Sequence, residues 1–167
     1  PKDFPDQLLQ VIASEPNVAK HLHLPAQSGA DSVLQAMRRG YTSDTYRRLV
    51  DRARDTVPNV TFSSDFIAGF CGETEEDHRQ SLDLLATVGY EQAFLYAYSN
   101  RPKTRADRRL SDDVEPTDKK RRLQELMLQY DADRTRLARD RVGETCVVLV
   151  DGVPKRKPSH SSLSDQT

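Results

Sequence analysis

The amino-acid sequence predicts an α/β fold in which parallel strands alternate with single helices. Three strand-like runs, residues 18–24, 60–68 and 92–98, are separated by stretches whose apolar residues recur at helical spacing. Two of these runs end in loops that carry glycine and helix-capping residues, as the strand ends of βα units do. Three parallel strands are too few for a closed barrel, so the sequence predicts either an open sheet or a barrel whose remaining strands precede residue 1.

Asp6 is placed to cap a first helix whose Leu8, Leu9 and Ile12 share a face, and Pro16 stops it. Residues 18–24 follow as a strand closed by Pro25. Ser28, with Asp31 three residues on, reads as a capping box for a short helix carrying Val33, Leu34 and Met37, and Gly40 suits its left-handed end. Another helix begins near Ser43 and repeats Tyr46, Leu49, Val50 and Ala53, the stripe of a buried face, until Pro58. Residues 60–68, β-branched and aromatic, form the next strand. Thr74 and Asp77 then cap a helix with Leu82, Leu85 and Val88 that ends at Gly89, and residues 92–98 return as the third strand.

Beyond Tyr98 the character changes. Arg101, Lys103, Arg105, Arg108 and Arg109 surround Pro102, and an acidic turn covers residues 111–115. A long helix begins at Thr117 with Leu123, Leu126, Met127, Tyr130 and Leu137 as its apolar stripe. Its first turn stacks Lys119, Lys120, Arg121 and Arg122 near the positive end of the helix dipole, against the usual preference. Residues 145–150 read as a strand, Gly152 as a turn and residues 155–167 as a polar tail without a core pattern.

Hydrophobic residues make up 36% of the 167 and charged ones 31%, as expected of a severed domain or of a well-solvated helical one. The net charge of -1 conceals an asymmetry: residues 1–100 hold nine Lys/Arg against fourteen Asp/Glu, and residues 101–167 hold sixteen against twelve. That basic excess fits a solvated helical face or a surface for a polyanion equally. Cys71 and Cys146 form no CxxC pair, which excludes a readable disulfide framework or zinc ribbon and points to a reduced, intracellular chain. No apolar run approaches the roughly 18–20 residues of a membrane span. The start at Pro1 has neither an initiator Met nor a signal-peptide core, which a missing beginning or removal by processing would each explain.

Two loops carry the chemistry. Residues 63–77 place Gly69, Gly72 and a capped helix start directly after a strand, where an α/β barrel builds its active face; a ligand loop and a tight turn both explain the pattern. Residues 21–30 repeat the arrangement and put Gln27 and Ser28 on the same rim. His21 and His23 share a strand face, as a metal pair or as core or rim histidines. Tyr96 and Tyr98 also face one way, as core residues or as a stacking surface for a base. Asp65, Glu73 and His78 form no convergent constellation, which disfavours a complete small acid–base enzyme.

Four segments, HLHLPAQSG from His21, VLQAMRRGYT from Val33, SSDFIAGFCGETEEDH from Ser63 and FLYAYSNRPKTRA from Phe94, together resemble the radical SAM methylthiotransferases. That family places a methylthio group on an adenosine of tRNA or on a ribosomal protein. The likeness runs in order over about residues 20–150, and the wording around Cys71 is similar to the mitochondrial tRNA branch, known in animals for association with a regulatory subunit of a cyclin-dependent kinase. The resemblance implies an enzyme of three parts: an N-terminal domain with an auxiliary iron–sulfur cluster, a partial barrel with a CxxxCxxC cluster, and a β-rich TRAM domain that grips tRNA. This chain would supply the C-terminal half of a radical SAM partial (β/α)6 barrel over residues 1–115, a linker helix over 116–142, and the start of a truncated TRAM domain with its polar tail over 143–167. The implied cofactors are S-adenosyl-L-methionine and two 4Fe-4S clusters whose ligands lie off this chain, since two isolated cysteines cannot hold them.

The resemblance carries cofactor contacts to Ile67 and Gly69, which pack beside adenine, and to Gln27, Ser28, Ser64 and Asp65 on the rim. The superfamily pattern G-x-I-x-G-x-x-E is broken at its ends by Asp65 and Gly72. Arg101, Lys103, Arg105, Lys119, Lys120, Arg121 and Arg122 become phosphate contacts to tRNA. No residue of the chain is assigned a catalytic role or a metal. The implied activity is methylthio transfer to C2 of a modified adenosine next to the anticodon, in mitochondria or cytoplasm. The alternative is a noncatalytic truncated product that binds RNA or a protein. A half barrel leaves strand edges and apolar faces uncovered, so the isolated chain is expected to be poorly soluble or molten.

Overall fold

The computed structural model describes residues 4–145, 147–150 and 152. Strands β1 (His21–His23), β2 (Thr61–Ala68) and β3 (Gln92–Ala97) form one parallel sheet in the order β1-β2-β3, with His23 beside Ser63 and Asp65 beside Phe94. Between and after them run helices α1 (Asp6–Ser14), α2 (Asp31–Ala36), α3 (Ser43–Thr56), α4 (Glu75–Val88), α5 (Arg105–Arg109) and α6 (Pro116–Asp140). Among the described residues no helix is long and apolar enough to cross a membrane.

Alternation along the strands gives the sheet two unlike faces. One face carries Leu22, Leu24, Phe62, Phe66 and Ala68 and is sealed by Leu9 and Ile12 of α1, by the Tyr46, Leu49, Val50 and Ala53 stripe of α3, by Leu84, Leu85 and Val88 of α4, and by Leu126 of α6. The other face carries His21, His23, Ser63, Asp65, Ile67, Phe94 and Tyr96, and among the described residues no helix covers it. Parallel sheets are ordinarily covered on both sides. Here the open side is dressed with hydrogen-bonding groups, which lowers the penalty of facing water. A second small cluster, Ala30, Val33, Phe70 and Cys71, packs under the loops with Tyr98, Ala106 and Leu110.

Several local expectations hold. Thr74 and Asp77 form the reciprocal capping box, and Gly89 closes α4 with φ +62°. Others are corrected. Asp6 is the first residue inside α1 behind Pro5 rather than its cap, and Leu8 points to solvent. The Ser28–Asp31 box does not form: the Asp31 carboxylate accepts from the Ser43 N–H at 2.7 Å, and the Ser28 hydroxyl bonds Ser81 at 3.1 Å. The left-handed residue after α2 is Arg38 (φ +58°), two places before the expected Gly40, because the short helix ends at Ala36. α5 went unread, although Thr104 caps it by accepting from the Asp107 N–H. Residues 145 and 147–150 are in no strand, and Val147 is fully exposed, since among the described residues no neighbouring strand offers its backbone a ladder. Cys146 and the polar tail over 155–167 lie outside the described residues. The helix expected as a linker, α6, packs along α4, β3 and β2 with Leu126 buried and Met127 50% exposed.

Backbone contact sets one spacing directly. A methyl group on Gly29 would overlap the Gln80 carbonyl of α4, and the Gly29 N–H donates to the Ser81 hydroxyl at 2.9 Å. The loop after β1 therefore rests on the backbone of α4 itself.

Burial opposes ionisation of Asp77, but hydrogen bonds from Ser32 and Thr74 outweigh it and hold the carboxyl below its ordinary value. A carboxyl depressed in the folded state stabilises above its unfolded pKa, and that contribution is lost as pH falls through the folded value. Asp77→Asn is thus expected to cost about 1 kcal/mol at neutral pH. The gap from the parent should close as the carboxylate range is crossed into acid. Denaturant melts at several pH values check this, and a pH-independent gap would exclude the charge as its origin.

Candidate active site

The first strand continues past His23 through a parallel bulge. The Leu24 N–H donates to the Ser63 carbonyl at 2.8 Å, the Gln27 N–H to the Asp65 carbonyl at 2.8 Å, and the Ile67 N–H to the Gln27 carbonyl at 2.9 Å. Between the first two bonds one chain advances three residues and β2 advances two, so one residue is extra around Pro25 and Ala26. Pro25 suits the place because it has no N–H to satisfy. Side chains collect the groups that leave the ladder. Tyr46 donates to the Leu24 carbonyl at 2.7 Å, Tyr41 lies within 3.0 Å of the Pro25 carbonyl and 3.1 Å of the Ala26 carbonyl, and the Ala26 N–H donates to the Ser64 hydroxyl at 2.9 Å. Tyr90 in turn donates to the Tyr46 hydroxyl at 3.0 Å. Burial pushes Tyr46 up to about 12 and Tyr90 well above the usual tyrosine value, so both remain protonated donors. Gln27 leaves this cradle with φ +69°, paired to Phe66 and lining a cleft.

The cleft, about 460 Å³, lies at the C-terminal ends of the strands, where α/β folds place their ligands. Gln27, Asp65, Ile67, Tyr96, Tyr98 and Arg101 line it. His23 approaches Asp65 at 3.4 Å and bonds the Ser63 hydroxyl at 2.9 Å, while His21 bonds Thr61 and Ser63 at 2.8 and 2.9 Å. The two histidines thus have hydroxyl partners, and among the described residues no three His, Cys, Asp or Glu side chains converge as a metal site. Tyr98 stands edge-on to Phe70 at 4.8 Å with the Lys119 ammonium 5.2 Å from its ring centre. Burial, then the neighbouring Cys71, pushes the Tyr98 hydroxyl up to about 12.

The rim residues named from the sequence separate into two groups. Gln27, Asp65 and Ile67 come together in the cleft. Ser28 and Ser64 are 1% and 0% exposed, with hydroxyls engaged inside the protein. Gly69 has φ +74°, its missing side chain makes room for the Lys119 stem, and its N–H donates to Glu73 at 2.8 Å. The cations divide in the same way. Arg101 lines the cleft, Arg105 lines an adjoining pocket, and Lys103 is exposed on the loop between them.

At the start of α6, by contrast, Lys119 pairs with Asp112, Arg122 with Glu73 at 3.0 Å and Glu75 at 3.3 Å, and Arg121 with Glu75 at 2.7 Å and Glu125 at 2.8 Å. Those carboxylates offset the unfavourable helix dipole, and Lys120 alone of the four remains exposed without an ion pair among the described residues. Burial pushes the Glu73 carboxyl up, although the Gly69 N–H and Arg122 pull the other way. The hydrogen bond from Arg121 leads in bringing Glu75 down to about 2. Tyr41, Tyr46, Tyr90 and Ser81 went unread as polar devices. The only signal was a hydroxyl inside an otherwise apolar stripe.

The family model for the radical SAM superfamily matches residues 2–85, half of the chain. The chain belongs to the radical SAM superfamily. It is 54% identical over 156 residues to the mitochondrial tRNA methylthiotransferase CDK5RAP1 of Homo sapiens, covering 93% of this chain and 26% of that protein. It is 48% identical over 158 residues to the tRNA-2-methylthio-N(6)-dimethylallyladenosine synthase of Chlorobium luteolum, covering 95% of this chain and 35% of that one. The chain therefore spans about a quarter to a third of the length of these relatives. Among solved structures, the radical SAM enzyme coproporphyrinogen III oxidase (HemN) of Escherichia coli superposes with a TM-score of 0.65 at 20% identity, over 79% of this chain and 30% of HemN. That likeness supports a radical SAM fold for the parallel sheet and its helices.

In this radical SAM chain the cradle behind the bulge is open to direct test. Tyr46→Phe strands the buried Leu24 carbonyl and is expected to cost about 1–3 kcal/mol in denaturant melts. Gln27→Gly, which removes the left-handed strain, is expected to gain about 1 kcal/mol. A Tyr46→Phe protein as stable as the parent would show that the hydroxyl holds nothing.

Proposed function

We propose that this chain is the part of a tRNA methylthiotransferase in which S-adenosyl-L-methionine and the target base meet. The enzyme would add a methylthio group to C2 of a modified adenosine next to the anticodon. The convergence of Gln27, Asp65, Ile67 and Tyr96 on one cleft carries this reading, in a chain 54% identical to a tRNA methylthiotransferase.

Radical SAM enzymes use S-adenosyl-L-methionine with a 4Fe-4S cluster. A cluster needs several thiolates, and Cys71 and Cys146 are the two cysteines of the sequence, so these residues do not fit one. Its ligands are assigned to the remainder of a longer enzyme. The cofactor itself does fit. The cleft volume lies within the usual range for small-molecule sites, and its lining is apolar with a few polar groups. The Gln27 amide and the Asp65 carboxylate would hydrogen-bond the polar groups of the cofactor, and Ile67 would pack against its adenine. When bound in the full enzyme, the cofactor would supply the radical chemistry, and Gln27, Asp65 and Ile67 would hold and orient it. Tyr96, 53% exposed, offers a ring on which that base can stack.

Residues 1–115 would be the C-terminal half of a partial barrel, residues 116–142 would join it to the next domain through α6, which packs along α4 and β3, and residues 143–167 would begin the tRNA-gripping TRAM domain. Mitochondria are the proposed place of action, following the mitochondrial names of the human and mouse relatives.

Asp65→Asn and Gln27→Gly in the full-length enzyme are each expected to weaken S-adenosyl-L-methionine binding about tenfold with iron content unchanged. Isothermal titration and iron assay measure the two quantities. Parental affinity in both variants would remove the cofactor from this cleft.

A further inference from the structure

Some exposed arginines make no ion pair among the described residues, Arg109 and Arg139 outside the cleft lining and four others at its mouth. Arg47, Arg48, Arg52, Arg79 and Arg136 each pair with a carboxylate. Arg38, Arg39, Arg101 and Arg105 are exposed and make no ion pair or side-chain hydrogen bond with the described residues. They also stand around one opening. Arg101 lines the cleft, and Arg38, Arg39 and Arg105 line a pocket of about 240 Å³ that shares Ile67 and Ala106 with it. Four guanidinium groups against the one carboxylate of the lining, Asp65, raise the local potential, and an anion at the mouth relieves it.

Backbone conformation adds an independent observation. Arg38 holds φ +58° at the end of α2, where the Arg39 N–H reaches back to the Leu34 carbonyl at 2.8 Å, a closing turn that favours glycine. Lys103, between Arg101 and Arg105, holds φ +69°. Gln27 inside the cleft holds the same value. Non-glycine residues keep such conformations at a cost in stability, and their clustering around one opening points to use of their side chains there. The wall below the arginines is aromatic, Tyr96 and Tyr98.

We propose that Arg38, Arg39, Arg101 and Arg105 form a phosphate clamp for a single-stranded RNA loop, holding its backbone while one base enters the cleft. Guanidinium forks suit phosphate oxygens, and an aromatic wall suits an unstacked base. The clamp comes from the α2–α3 turn, the β3–α5 loop and the first residue of α5, whereas three of the four cations that open α6 are held by carboxylates of this chain. The inference rests on the RNA-modifying reading above.

The test is binding of a synthetic anticodon stem-loop RNA to the full-length enzyme across a salt series, by fluorescence anisotropy. Arg38→Gly with Arg39→Ala, and Arg101→Ala with Arg105→Ala, are each expected to flatten the log–log salt slope by about 0.7 for every single-strand phosphate contact removed. Arg48→Ala with Arg79→Ala, on the helices behind the sheet, should leave the slope at the parent value. Arg38→Gly should keep or raise the melting temperature, because glycine accepts the left-handed backbone, which separates lost binding from lost folding. Arg101→Lys with Arg105→Lys should recover part of the slope. A parental slope in both mouth pairs overturns the clamp alone. A parent enzyme that fails to bind the RNA at any salt overturns the RNA reading and the clamp with it.

Discussion

The hydrogen-bonded capture of the bulge at Pro25 and Ala26 is the constraint on which the site depends. A strand that slips by one residue exposes backbone groups, and buried unpaired groups of that kind cost about 1–3 kcal/mol each. Here the hydroxyls of Tyr41, Tyr46 and Ser64 take them up from the sealed side of the sheet. The core is consequently polar at one point and specific there. It allows Gln27 to remain hydrogen-bonded to β2 while adopting a backbone conformation that an uninterrupted strand would not permit.

A second constraint is electrostatic and joins α4 to α6. Both helices begin near Glu73 and Glu75, and the cations that open α6 reach across to them. Arg122 is buried with Glu73, an arrangement in which removing either partner leaves an uncompensated charge in the interior. Lys119 passes over the missing side chain of Gly69 to reach Asp112, so the glycine after β2 and the lysine of α6 require one another. Charge that looked available from composition is largely consumed inside the molecule at this place.

Periodic, local signals in the sequence were legible. The Tyr46, Leu49, Val50 and Ala53 stripe, the Thr74–Asp77 box and the turn at Gly89 depend on residues within a few positions of each other, and all are present. The strand end and the glycine-bearing loop after it put Gln27 on the rim, the family resemblance added Asp65 and Ile67, and the three line one cleft. What could not be read depends on distant partners. Ser28 pairs with Ser81 rather than capping α2, Asp31 turns to Ser43, and Arg121 and Arg122 of α6 find carboxylates more than forty residues away. The left-handed Arg38 was hidden by Gly40, since local preference favours glycine and only the actual end of α2 decides the position.

The seat of Gly29 on α4 has a mechanical consequence. Because peptide groups touch there without an intervening side chain, the loop and the helix behave as a bearing with no clearance. One added carbon would act as a wedge beneath a rod of fourteen residues, and the rod would carry the tilt to Leu84, Leu85 and Val88 at its far end. Tolerance at this spot is thus set by the stiffness of a helix rather than by the room in any cavity.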